Sequence, residues 1–222
     1  MIPSPIPLFP LGLVLLPGAT VPLHLFEPRY RALLSDVSGT TQRFGLITMP
    51  AETAEADLPA GRIGCVAQIT AQETLPDGRS NIVIVGTDRF RFETYVEAGR
   101  PYRVAHVVEW IDLPDEPLAL DAAASRVRLL AQRVIAASMT LQDMPGTPPE
   151  PGEDPAALSF QIAQILRMDN ETLYGLLSQR SPVARLLELE SVLGDRLTRL
   201  ETGAELHTRA RTNGHHHGPP PG

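Results

Sequence analysis

Residues 22–31 of this chain have the sequence Pro-Leu-His-Leu-Phe-Glu-Pro-Arg-Tyr-Arg. They continue an apolar run, Val21–Phe26, that is typical of a β-strand, and Pro22 favours an edge strand or a bulge because proline has no N–H to donate. Pro28 suits the first position of a helix, where no intrahelical donor is lost. The apolar residues that follow recur at helical spacing and form one face: Tyr30, Leu33, Leu34 and Val37. The segment therefore predicts a strand that leads directly into a short helix, which Gly39 ends.

The rest of the first half also predicts strands. Short apolar runs bounded by proline and glycine occur at Ile6–Phe9, Leu13–Leu16, Arg43–Thr48, Ile63–Leu75, Asn81–Tyr95 and Tyr102–Ile111. Between two of these runs, Pro76-Asp77-Gly78 predicts a hairpin turn. Residues 50–61 predict an exposed acidic loop. Several short strands separated by turns favour a small barrel or a closed, strongly bent sheet.

From about Pro114 onward the apolar period becomes helical. We predict four helices: one capped by Asp121 and ending near Ser138, one opened by Asp154-Pro155, one at Glu171–Ser178, and a long last one that begins at Ser181-Pro182. The proline-rich residues 143–153 predict a flexible loop, and residues 208–222 predict a disordered tail. The predicted organisation is an α+β protein with a β-barrel subdomain at 1–115 and a helical subdomain at 116–207.

Composition excludes several classes of function. The chain has 222 residues, a net charge of −7 and no lysine among its 19 basic residues. Without lysine it has neither the P-loop lysine of a nucleotide site nor a Ser–Lys dyad nor a Schiff-base amine. Residues 1–115 carry 9 arginines and 13 acids (net −4), and residues 116–222 carry 10 and 13 (net −3). Neither half therefore favours a surface that follows nucleic-acid phosphates.

The sequence also predicts where the protein acts. No apolar run approaches the ~20 residues that span a bilayer, and the N-terminus lacks the basic region of a signal peptide. The single cysteine, Cys65, cannot form an intramolecular disulfide or a cysteine-based zinc site. We therefore expect a cytoplasmic protein with no membrane segment, in which Cys65 is a small buried hydrophobe.

Three stretches resemble the N-terminal substrate-recognition domain of Lon proteases. They are residues 6–18, the opening stretch 22–31 with its Phe-Glu-Pro-Arg-Tyr string, and residues 61–90, which contain Gly-Arg-Ile-Gly-Cys, Leu-Pro-Asp-Gly-Arg and Val-Gly-Thr-Asp-Arg-Phe. The resemblance covers about residues 5–205 and implies a PUA-like β pseudo-barrel followed by a C-terminal helical subdomain. It also implies a stand-alone domain, without the Lon ATPase or peptidase, that binds unfolded or degron-bearing polypeptides or another protein partner.

This resemblance, together with the residue pattern, suggests a peptide-binding surface. Its candidate residues are Leu15, Leu16, Pro22, His24, Phe26, Arg29, Tyr30 and Arg89. Each of them also has a structural interpretation. Phe26 and Tyr30 would staple the helix to the barrel. Arg29 and Arg89 would pair with carboxylates inside the domain, and His24 would be a hydrogen-bonded residue of the core or its rim.

The predicted function is a non-catalytic protein- or peptide-binding module, an adaptor in protein quality control. One alternative is an RNA-binding PUA-like module, which needs a local arginine patch, and another is a ligand-binding or hydrolytic domain, which needs a deep polar pocket. No catalytic, cofactor or metal site is predicted; the tract His215-His216-His217 could bind a metal weakly, but its composition favours a low-complexity end. Gly86 predicts a bulge or a close approach of another backbone segment.

Overall fold

The computed structural model describes residues 2–50, 52–142 and 144–213, with side chains up to residue 202 except that of residue 201. These residues form six strands and five α-helices, which confirms the predicted α+β class. The elements in chain order are β1 (Ile6–Leu11), β2 (Thr20–Leu25), α1 (Pro28–Ser38), β3 (Arg43–Thr48), β4 (Ile63–Thr74), β5 (Ser80–Val96), β6 (Val104–Glu109), α2 (Pro117–Leu141), α3 (Leu158–Ile165), α4 (Asn170–Ser178) and α5 (Pro182–Asn213), with a 3-10 turn at Glu55–Asp57.

Five of these strands close on themselves. The order along the sheet is β2-β5-β4-β3-β1-β6, and an additional pairing between β5 and β6 completes a ring of β5, β4, β3, β1 and β6. β1 is parallel to β3, and the other pairs are antiparallel. Register shifts in the β4–β5 and β5–β6 pairs bend the sheet enough to close it. The predicted pseudo-barrel is confirmed.

The long strand β5 has two parts with different neighbours. Its last part, from Phe90 to Val96, pairs with β6 and closes the barrel. Its first part, Ser80–Val85, lies between β2 and the end of β4. We call the strands β2, Ser80–Val85 and Gln68–Thr74 the three-stranded extension. Within the described residues, β2 pairs with β5 alone and is an edge strand, as Pro22 predicts.

The barrel part of the sheet surrounds an apolar core. Its buried side chains come from the five strands of the ring, from the segment before β1 and from the β3–β4 connection, and include Ile6, Leu8, Ile47, Val66, Phe90, Phe92 and Val107. The predicted helical face of α1 is buried as well, since Tyr30, Leu33, Leu34 and Val37 are all removed from solvent. Gly39 ends α1 as predicted, although in a right-handed conformation. The hairpin turn at Pro76-Asp77-Gly78 is confirmed, with Gly78 at φ +79°.

The prediction of a strand at Leu13–Leu16 is wrong. This run forms an irregular segment between β1 and β2, in which Val14, Leu15 and Leu16 are buried. Gly12 and Pro17 interrupt the alternation that a strand needs, so the run fills the core without joining the sheet. The close approach predicted at Gly86 is confirmed, because a Cβ at that position would lie 2.2 Å from the carbonyl oxygen of Leu16.

Two helix starts differ from the prediction. α2 begins at Pro117, because Glu116 accepts a hydrogen bond from the amide of Ala119, so Asp121 lies within the helix instead of capping it. α3 begins at Leu158, since Asp154 closes a turn onto the amide of Ala156 before the helix starts.

α5 begins at Pro182 as predicted and continues to Asn213, into the segment predicted to be disordered. Residues 214–222, with the tract His215-His216-His217, lie outside the described residues.

The chain divides into two compact units. The first contains residues up to Pro114 together with Arg167–Pro182, and the second contains Asp115–Leu166 and the residues from Val183 onward. Helix α4 belongs to the first unit and is bonded to β4 and to the residue that follows β6: the Tyr174 hydroxyl accepts a hydrogen bond from the Ile63 amide, and the Trp110 indole donates to the Ser178 carbonyl. The predicted subdomains at 1–115 and 116–207 stay a prediction. No helix in the described part of the chain is long and apolar enough to cross a membrane.

Candidate protein-binding surface

The three-stranded extension has one buried face and one exposed face. Side chains that are paired across antiparallel strands lie on the same face. Leu25, Ile82 and Ile84 are buried on the inner face. The outer face is formed by three cross-strand rows, which are Thr20, Val85 and Gln68; Pro22, Val83 and Ala71; and His24, Asn81 and Glu73. All of these outer side chains are exposed or half-buried, so this face is open to a partner.

The middle row of the outer face is apolar. Pro22 pairs with Val83, and Val83 pairs with Ala71 on the opposite strand. A groove of about 450 Å³ runs over this row and continues to His24, Asn81 and Glu73. Exposed apolar side chains that lie together on a strand face are typical of a protein contact.

The third row is a chain of hydrogen bonds across three strands. The Asn81 amide nitrogen donates to Glu73 Oε2 at 3.2 Å, so the Asn81 amide oxygen faces His24 Nδ1 at 2.8 Å. His24 must therefore carry a proton on Nδ1, which leaves Nε2 directed away from this bond. The row holds the three polar side chains together. His24 is hydrogen-bonded as predicted, but it is exposed and does not belong to the core.

Phe26 extends this surface beyond the end of β2. Its side chain is 62% exposed, and its ring lies 6.2 Å from the His24 ring at an interplanar angle of 25°. The interpretation of Phe26 as a staple between helix and barrel is wrong, because an exposed ring has no core to join. Its neighbour Tyr30 has that structural role: it is buried, with its ring centroid 4.0 Å from that of Phe9.

Arg29 holds the junction between β2 and α1. Its guanidinium donates to Glu27 at 2.9 Å and to Glu55 at 2.7 Å, which confirms the predicted carboxylate pairing. Partial burial disfavours the charged form, but the hydrogen bonds with Glu55 and Glu27 outweigh it and raise the pKa of Arg29. Burial and the nearby Glu55 carboxylate raise the pKa of Tyr30, so its hydroxyl stays neutral. This cluster connects the junction between β2 and α1 to the 3-10 turn at Glu55–Asp57.

Three other candidate residues lie in the interior. Leu15, Leu16 and Arg89 are buried and are not accessible to a partner in this conformation. Arg89 donates to the carbonyls of Leu177 (2.8 Å) and Gln179 (2.7 Å) and forms an ion pair with Asp112, as its structural interpretation predicts. Cys65 is buried as predicted, and burial raises the pKa of its thiol to about 12.

A family model described as the ATP-dependent protease La (LON) substrate-binding domain matches residues 5–194. This chain belongs to the Lon substrate-binding domain family. The Lon protease of Methylocella silvestris is 28% identical over 210 residues, which are 91% of this chain and 25% of that protein. The Lon protease of Phenylobacterium zucineum is 28% identical over 213 residues, or 91% and 26% of the two chains. The chain thus spans about a quarter of the length of the Lon proteases it matches.

Solved structures of Lon N-terminal domains have the same fold. A crystal structure of a Lon N-terminal domain protein from Xanthomonas campestris superposes with a TM-score of 0.59 at 28% identity, covering 85% of this chain and 98% of that one. The N-terminal domain of a Mycobacterium avium complex Lon protease gives a TM-score of 0.63 at 16% identity, with coverages of 88% and 98%. At 16% identity, the similarity to the Mycobacterium avium complex domain shows a shared fold alone.

Within this Lon-type domain, sequence reasoning found one strand of the candidate surface and missed the other two. Pro22, His24 and Phe26 come together on β2 and its end, whereas Ala71, Glu73, Asn81 and Val83 were not identified. The turn at Pro76-Asp77-Gly78 signals that two strands pair, but the run Ile82–Val85 is apolar at every position and does not indicate which face is exposed. In the described part of the chain, no three His, Cys, Asp or Glu side chains are grouped to hold a metal ion.

Proposed function

We propose that the outer face of the three-stranded extension binds unfolded or degron-bearing polypeptides, and that the domain acts without catalysis as a cytoplasmic adaptor in protein quality control. The observation that carries this proposal is the exposed apolar row of Pro22, Val83 and Ala71, continued by the ring of Phe26. It occurs in a chain whose family is described by substrate binding. An unfolded polypeptide offers apolar side chains that such a row can remove from water.

Contact through the face is favoured over addition of a strand to the β2 edge. Strand addition depends on alternating main-chain donors and acceptors along the free edge. Pro22 lies in the middle of β2 and has no N–H, so it removes a donor from this short strand. The groove at Pro22 and Val83 instead accepts side chains from above the sheet.

Phe26 provides the test, with Leu129 as its matched control. Both side chains are apolar and similarly exposed, at 62% and 64%, but Leu129 lies on α2, away from β2 in the sequence. The probe is a fluorescent, reduced and carboxymethylated polypeptide that cannot fold. Because part of the Phe26 ring would be buried on binding, we expect Phe26→Ala to weaken the affinity about tenfold, or ~1.4 kcal/mol. Leu129→Ala should leave it unchanged.

Two results would contradict the proposal. One is an equal loss of affinity in the two variants, which would point to nonspecific adhesion of apolar side chains. The other is an absence of polypeptide binding together with salt-sensitive binding of a single-stranded RNA, which would favour the RNA-binding alternative. Melting curves of both variants control for folding.

A further inference from the structure

The two ends of the outer face carry opposite charges. Arg43 opens β3 and pairs with Gln68, which belongs to the same row as Val85 and Thr20. Glu73 lies in the row of Asn81 and His24 at the other end. The rows of Val85 and Asn81 are four residues apart along β5, or about 14 Å in an extended strand. The apolar row of Pro22, Val83 and Ala71 lies between them.

Both charges lack an ion-pair partner among the described residues. Arg43 uses its Nε to donate to Gln68 at 2.7 Å, and these two residues line a depression of about 500 Å³ together with Ile2, Pro3 and Thr41. Glu73 accepts one hydrogen bond, from the Asn81 amide, and no arginine of the described part lies within 4.0 Å of it. Each group can therefore pair with a charge on a bound segment.

Of the other charged side chains near the Glu73 end, two pair with each other and the third belongs to a helix that is bonded to the inner face. Asp77 and Arg79 form an ion pair of 2.6 Å within the hairpin turn. Arg31 lies against Gly78 of the same turn. It belongs to α1, whose Ser38 donates to Gln72, a residue of the inner face. Within the three rows and their continuation to Arg43, the charged groups are therefore Arg43 at one end and Glu73 at the other.

The geometry points to a preferred substrate class: an extended segment of about five residues with an apolar centre, flanked by an acidic residue on one side and a basic residue on the other. The acidic side chain would pair with Arg43 and the basic one with Glu73, while the centre would cover Pro22, Val83 and Ala71. This inference rests on the proposed function and adds a charge pattern to it. This preference differs from the one that the net charge predicts. A chain with a net charge of −7 would attract a segment with two basic flanks most strongly.

Three labelled peptides test the inference. They share one apolar core and are flanked by Glu and Lys, by two Lys or by two Glu, and binding is measured by anisotropy at low salt and about pH 8, above the usual titration range of histidine. Exposed ion pairs contribute about 0.2–1 kcal/mol, so we expect the mixed peptide to bind roughly two- to fivefold more tightly than either of the others. In Glu73→Gln, the mixed peptide should lose its advantage over the peptide with two Glu flanks but keep its advantage over the peptide with two Lys flanks. In Arg43→Gln, it should lose its advantage over the peptide with two Lys flanks and keep the other.

The design separates the possible failures. Each variant should keep the preference that depends on the other residue, which a misfolded protein would not do. Glu97→Gln and Arg199→Gln, at exposed positions outside the extension, should keep both preferences. Tightest binding of the Lys-flanked peptide, equal binding of all three, or preferences that persist in both variants would overturn the inference alone. If no peptide binds and the unfolded polypeptide does not bind either, the proposed function itself fails.

Discussion

The two parts of β5 show how one strand can serve the fold in one place and a partner in another. From Phe90 to Val96 the strand pairs with β4 and β6 and contributes Phe90 and Phe92 to the barrel core. From Ser80 to Val85 it lies between β2 and β4, with Ile82 and Ile84 buried but Asn81 and Val83 toward solvent. Closure of the barrel buries apolar side chains, whereas the extension leaves a row of them open. Substitutions from Phe90 to Val96 should therefore change stability, and those on the outer face of Ser80–Val85 should change binding.

The largest effect is expected at the closed end. Phe90 is fully buried among barrel side chains. Replacing it with alanine removes that burial and leaves a cavity, so Phe90→Ala should lower the free energy of unfolding by about 3–5 kcal/mol. Urea denaturation followed by the fluorescence of Trp110 measures this. A loss of less than about 1 kcal/mol in the free energy of unfolding would contradict the role of Phe90 in the barrel core.

Arg89 precedes Phe90 and should show the next largest effect. Its buried guanidinium donates to two main-chain carbonyls, of Leu177 and Gln179, and pairs with Asp112. Arg89→Met keeps much of the side-chain volume but removes these donors, so we expect a destabilisation of about 2–3 kcal/mol. Binding of the unfolded polypeptide, measured where the variant is still folded, should be unaffected. A selective loss of binding would instead place Arg89 in the recognition surface.

Gly86 lies between the two parts of β5. A methyl group there would meet the Leu16 carbonyl oxygen at 2.2 Å, and backbone cannot move aside as easily as a flexible side chain. Gly86→Ala should therefore cost about 1–3 kcal/mol. Gly12→Ala is the control, since a Cβ at Gly12 meets nothing within 4 Å. Equal melting temperatures of the two variants would contradict the close approach.

The smallest change in stability is expected at Val83. Val83→Ser should lower the free energy of unfolding by less than about 1 kcal/mol, because the side chain is only half-buried. The same substitution at its neighbour Ile84, which faces inward and is fully buried, should cost several times more. Polypeptide binding should fall for Val83→Ser. The comparison fails if the two substitutions have similar effects on urea denaturation.

The sequence predicted the fold where local chemistry leaves little choice. The apolar spacing from Tyr30 to Val37 defines one helical face, Pro182 marks a helix start, and Pro76-Asp77-Gly78 defines a hairpin; each matches the structure. Leu13–Leu16 failed because a short apolar run fits a buried irregular segment as well as a strand. Asp121 failed because Glu116 supplies an earlier cap.

The candidate site was less accessible to sequence reasoning. Whether an apolar side chain faces solvent depends on what covers it, and in the extension this is decided by strand pairing over long distances. Pro22 and Phe26 could be selected as unusual residues in or next to a strand. Val83 could not, because it lies in an unbroken apolar run whose two faces become different only when β2 and β4 are in place.

Mapping the bound polypeptide onto the two parts of β5 shows directly whether binding is confined to the three-stranded extension. A ¹H–¹⁵N spectrum of the protein is recorded with and without the unfolded polypeptide. We predict amide shift changes at Thr20–Leu25 except Pro22, which has no amide proton, at Ala71–Glu73 and at Ser80–Val85, with little change from Phe90 to Val96. Changes concentrated from Phe90 to Val96, or confined to α2 and α5, would contradict binding at the outer face.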